Sequence, residues 1–180
     1  PVFKPLPTRP GWAYAIKPSS NASFLAATRL QAANIPIYRA SDWFEVNGQE
    51  YAPGSWLVAP TEETESILEA VATETGLVVQ GVDEPVDVAG HRLRDPTRVG
   101  LWRAANNMPG GWMLWLFEQY ELNHTVISST DFDLALSDKY DVIVLPSGTS
   151  RRSIVEGLNP EQHDETWRWE IGRASCRERV

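Results

Sequence analysis

Apolar positions along the chain fall into short clusters separated by polar, turn-rich stretches. Trp12 to Ile16 is a short apolar run and predicts a strand. Asn21 to Ala33 predicts a helix, with Phe24, Leu25, Ala27, Leu30 and Ala33 on a shared apolar side. Ile35 to Tyr38 predicts a second strand. Phe44 to Tyr51 predicts a hairpin, because Asn47-Gly48 suits the positive φ angles of a type I′ turn. Pro53-Gly54 turns the chain into a strand at Trp56–Ala59. Thr61 then caps a helix with Glu62 and Glu63 in its first turn, and Gly76 ends it. Ile67, Leu68, Val71 and Ala72 are its inward face, and Leu77–Val79 is the next strand.

Asp83 to Thr97 is polar and Pro-bearing and predicts a linker or surface loop. Beyond it, Val99–Trp102 reads as a strand, followed by a loop with the glycine pair Gly110-Gly111 and an apolar helix from Trp112 to Tyr120. His124–Ser128 is a strand, Phe132–Leu136 a short helix, and Tyr140–Pro146 the clearest buried strand. Its continuous apolar run suits a parallel sheet covered on both faces. Strands alternating with helices predict a layered α/β fold. The order divides into an N-terminal α/β part, residues 1–95, with a hairpin near 42–59, and a parallel α/β part, residues 96–169.

The two ends are unlike the middle. PVFKPLPTRPGW carries no initiator Met and no signal pattern, and reads as the interior of a longer polypeptide. The tail EIGRASCRERV, residues 170–180, resembles the in-frame translation of a short-read sequencing adapter, so the parallel part is expected to be incomplete at its C-terminus. On that reading Cys176 is foreign and the natural sequence has no cysteine, hence no disulfide framework, thiol nucleophile or cysteine metal site. Without Ile171 to Val180 the chain carries 13 basic and 23 acidic residues, taking the net charge from −8 to −10. Clustered Lys and Arg are what phosphate contacts need, so nucleic acid is not an expected partner. No run reaches the roughly 18 apolar residues of a membrane span. Cysteine-free composition is compatible with either side of a bacterial membrane.

Candidate chemistry is sparse. Strand, glycine-bearing loop and helix is how phosphate-binding units begin, yet neither G-x-G-x-x-G nor G-K-[ST] is present. Gly110 and Gly111 therefore either start and pack a helix or bind an anion at its start. Trp112, Trp115, Leu116 and Tyr120 form a stripe that is either core or an aromatic platform for carbohydrate. Ser147 follows the Tyr140–Pro146 strand, where open α/β sheets hold ligands, and Arg151 could bind an anion there. No G-x-S-x-G elbow activates a serine. His91, His124 and His163 are far apart and read as surface residues, and Asn21 and Asn123 head short glycosylation sequons. No catalytic residue and no metal ligand is assigned.

Two ordered patterns carry a family resemblance: NASFLAATRLQAANIPIYRASDWFEVNGQEYAPGSWLVAP, and RVGLW followed by NMPGGWMLWLFEQYEL and KYDVIVLP. Together they resemble the region following the catalytic domain in large bacterial zinc carboxypeptidase-family proteins. The resemblance covers most of Trp12 to Ser147. It implies a class I glutamine-amidotransferase-like, flavodoxin-like parallel sheet without the amidotransferase cysteine. It further implies an accessory, non-catalytic role, an upstream peptidase domain in the same polypeptide as partner, and zinc in that parent rather than in this stretch. The parent would be a secreted or periplasmic hydrolase that removes C-terminal residues. A second reading, from the eight Trp, is a stand-alone module for a sugar or peptide using Trp43, Trp56, Trp112 and Trp115.

Overall fold

The computed structural model describes residues 5–93, 96–102, 108–127, 131 and 135–149. The chain divides into two units, Pro1–Pro96 and Thr97–Val180.

Unit 1 is built on a five-stranded sheet of β1 (Ala13–Ile16), β2 (Ile37–Ala40), β5 (Trp56–Val58), β6 (Val79–Val82) and β7 (Gly90–Arg92). Their spatial order is β6-β1-β5-β2-β7, and every pair among them is antiparallel. Helix α1 (Asn21–Ala32) links β1 to β2, and α2 (Glu62–Thr75) links β5 to β6. The hairpin β3 (Phe44–Val46) and β4 (Gln49–Tyr51) is inserted between β2 and β5. Its turn places Asn47 at φ 50° and Gly48 at φ 76°, as a type I′ turn requires.

The main sheet is therefore antiparallel, which corrects the expected flavodoxin-like, glutamine-amidotransferase-like parallel sheet. Each helix does join two strands that run the same way. However, β5 lies between β1 and β2, and β1 lies between β5 and β6. This is the split β-α-β arrangement, in which strand–helix alternation reads the same along the sequence while the neighbours are antiparallel. Burial compounds the ambiguity. All four residues of β1 are buried, a run expected of a parallel strand, because this sheet is covered on both faces. One face carries α1 and α2. The other carries Phe44, Val46 and Tyr51 of the hairpin, which pack with Ala13, Ala15, Leu57 and Val82.

The helices form where their caps dictate. Ser20 Oγ accepts from Ala22 N at the start of α1. Thr61 Oγ1 accepts from Thr64 N at the start of α2, whose first turn holds Glu62, Glu63 and Glu65. Gly76 ends α2 at φ 76°. Leu25 and Leu30 of α1 and Leu68 and Val71 of α2 face the sheet, whereas Phe24, expected on the inner side, is 49% exposed and meets Trp56 edge-on. Arg29 pairs with Glu74 at 2.8 Å between the two helices. The polar stretch 83–97 holds β7, a strand the sequence reads as loop.

Unit 2 contains a three-stranded sheet of β8 (Val99–Trp102), β9 (His124–Ile127) and β10 (Val142–Val144), ordered β10-β8-β9 and parallel throughout. Helix α3 (Met108–Gln119) joins β8 to β9, and the short α4 (Leu136–Lys139) precedes β10. Among the described residues, parallel pairing is thus confined to this smaller sheet. Val142 and Ile143 are 46% and 36% exposed, contrary to the fully buried strand expected from their apolar run. Residues 128, 132–134 and 150–180, including the tail and part of the helix expected at Phe132–Leu136, lie outside the described residues.

Candidate functional site

In unit 2, β8 ends at Trp102 and α3 spans Met108–Gln119. Pro109 occupies the second helical position, where its missing N–H leaves no bond unmade. Gly110 is buried. Gly111 has open space where a Cβ would stand, so it is not the close-packing glycine the sequence suggests. Ser147 lies beyond β10 in an exposed turn that Gly148 makes at φ 87°. Because β8 and β10 are adjacent and parallel, the chain that leads into α3 and the Ser147 turn leave the sheet at the same, carboxyl edge. With β9 on the other side of β8, this edge is a switch point of the kind where open sheets hold ligands. Arg151 falls outside the described residues, as do His163 and Cys176.

The apolar stripe of α3 is not core. Met108 is 75% exposed, Trp112 62%, Trp115 49% and Leu116 38%. Trp112 and Trp115 meet edge-to-face, with centroids 6.2 Å apart and planes at 86°. That geometry presents an apolar ridge rather than the flat coplanar surface on which a sugar ring stacks. Of the other aromatics proposed for binding, Trp56 is buried in the sheet, and Trp43 is exposed in unit 1. Trp43 borders an open cleft of about 920 Å³ shared with Lys17, Glu45 and Glu50.

Arg98 and Asp141 of the second ordered pattern help to build the fold. Arg98 is clamped to Asp141: Nε to Oδ2 at 3.1 Å, Nη2 to Oδ1 at 2.8 Å, and backbone N to Oδ2 at 2.8 Å. These bonds, the guanidinium first, hold the Asp141 carboxyl down at about 2. Gly100 leaves room for Ile127 Cδ1 and the Tyr140 ring, which would stand 3.1 and 3.3 Å from a Cβ. In unit 1, Arg9 grips Glu65 with Nε and Nη2 at 2.6 and 2.7 Å, and Tyr14 donates its hydroxyl to the same carboxylate at 3.1 Å. Burial, then the Glu65 contact, pushes the Tyr14 phenol up to about 12, and Arg9 holds Glu65 below the usual carboxylate range. The sequence reading missed both clusters, since their charged partners are 43 and 56 positions apart and polar in unremarkable contexts.

Among the described residues no three His, Cys, Asp or Glu side chains gather where they could hold a metal ion. His91 belongs to unit 1 and His124 to unit 2, where the latter's Nδ1 lies 2.8 Å from the Leu122 carbonyl. No described helix is long and apolar enough to cross a membrane. The chain matches no family model, no curated protein and no solved structure.

Proposed function

We propose that this chain is a non-catalytic accessory module of a bacterial zinc metallocarboxypeptidase-family polypeptide, and that α3 docks it onto the upstream peptidase domain. The observation that carries the reading is the exposed apolar ridge of Met108, Trp112, Trp115 and Leu116 on one helix. Contiguous exposed apolar surface of this kind marks interaction sites, and Trp is over-represented among the residues that anchor interfaces. The ordered motifs in Trp12–Ser147 supply the partner's identity. In this reading zinc and its chemistry belong to the peptidase domain.

Reading the source gene upstream of Pro1 tests the assignment. An open frame encoding H-x-x-E and a distant His is the expected result. A frame without them, or zinc-dependent peptidase activity from this chain alone, overturns it. A second reading, a binding module for a sugar or peptide, is favoured by one observation: Trp43 stands exposed beside Lys17, Glu45 and Glu50 in the open cleft of unit 1. Titration with cell-wall fragments should then shift the indole signal of Trp43 in the wild type and not in Trp43→Ala.

A further inference from the structure

A separate hollow lies in unit 1, on the sheet face that the hairpin covers in part. Its origin is in the sequence. Tyr38, Leu57 and Ala15 are register partners in a row across β2, β5 and β1, and Arg92 of β7 extends the row on the far side of Tyr38. Residues in such a row share one face of the sheet. Ala13 and Ala15 are short, so this face is not filled from β1. Gly90 has no side chain, and a Cβ there would stand 2.6 Å from the Tyr38 ring, so the ring lies across β7. Its hydroxyl reaches the Val88 carbonyl at 3.2 Å and ties the 86–88 segment over the sheet. The result is a cavity of about 410 Å³. That is within the roughly 300–1,000 Å³ of small-molecule sites.

The lining is apolar, from Trp12, Leu57, Val86 and Val88, with two charged exceptions, Asp87 and Arg92. Neither forms an ion pair among the described residues, although both border the same cavity. Both are exposed, so they stand at the rim of the cavity while its floor is apolar. A guanidinium suits a carboxylate through paired N–H donors, and a carboxylate suits an ammonium. We propose that this cavity binds a small zwitterion with an apolar side chain, an amino acid or dipeptide, with its carboxylate on Arg92, its ammonium on Asp87 and its side chain between Trp12 and Leu57. This site is independent of the docking role of α3.

Calorimetric titration of the full chain with L-phenylalanine and with L-leucyl-L-phenylalanine tests the proposal. Saturable binding of at least one is expected. Arg92→Gln and Asp87→Asn should each weaken it about tenfold, as loss of a charge-assisted hydrogen bond does. N-acetyl-L-phenylalanine, which has no ammonium, should bind weakly and be insensitive to Asp87→Asn. Ala59 lines the cavity from an exposed position after β5, so Ala59→Trp should fill it without loss of thermal stability and abolish binding. No saturable binding of either probe overturns the proposal. So does binding that is unchanged in all three variants, or N-acetyl-L-phenylalanine binding as tightly as the free amino acid.

Discussion

Asp141 shows how one carboxylate ties a sequence motif to a strand pair. Its partner Arg98 immediately precedes β8, as Asp141 precedes β10, so their bonds fix the parallel register of the two strands. The Asp141 pKa is depressed from 3.8 to about 2 by Arg98. A depressed carboxylate stabilises the fold above its unfolded value and loses that contribution as pH falls through the folded one. The thermal stability of unit 2 should therefore fall as pH drops from 4 to 2, and Asp141→Asn should flatten that dependence in circular-dichroism melts followed across this range. Gly76 is a second residue-scale case. At φ 76° it closes α2 in the left-handed region, and Gly76→Ala should cost about 1 kcal/mol in denaturant unfolding. The helix stop at Gly76 and the turn at Asn47-Gly48 were legible in the sequence, because a local backbone requirement selects them. The Arg98–Asp141 clamp was not, since nothing within either segment reveals a partner 43 positions away.

Helix α3 is the element whose pattern misleads. Its near-continuous apolar sequence reads as core, yet only Gly110 of it is buried. Periodicity reports that a helix has apolar surface, and it cannot report what covers that surface. Replacing Trp112 and Trp115 together by Ser should leave the unfolding free energy of the isolated chain within about 0.5 kcal/mol of wild type. In the docking reading the same variant should lose co-purification with the upstream peptidase domain. A large loss of stability in the isolated chain would instead show that the two rings pack within it. Helices α1 and α2 behave in the opposite way. Their caps and inward residues Leu25, Leu30, Leu68 and Val71 were readable, because cap chemistry and a sheet-facing stripe coincide.

Over the whole molecule, the five-stranded sheet, its two helices and the hairpin complete their pairings inside Pro1–Pro96. A chain ending at Pro96 should therefore fold alone and unfold in one cooperative transition, followed by circular dichroism and by dispersion of its amide resonances. By itself the sequence determined most elements of this protein: where helices start and stop, where the hairpin turns, and which short runs are strands. These are properties of neighbouring residues, set by caps, by positive φ at Asn47 and Gly48, and by apolar spacing. Only the tertiary structure decided that β5 inserts between β1 and β2, which makes the main sheet antiparallel and, among the described residues, confines parallel pairing to β8, β9 and β10. It alone placed Arg92 and Asp87 around one hollow and left Trp112 and Trp115 outside the core. The physical reason is that strand order and burial depend on which surfaces meet across long stretches of chain, and a local pattern of apolar and polar residues is the same for either outcome.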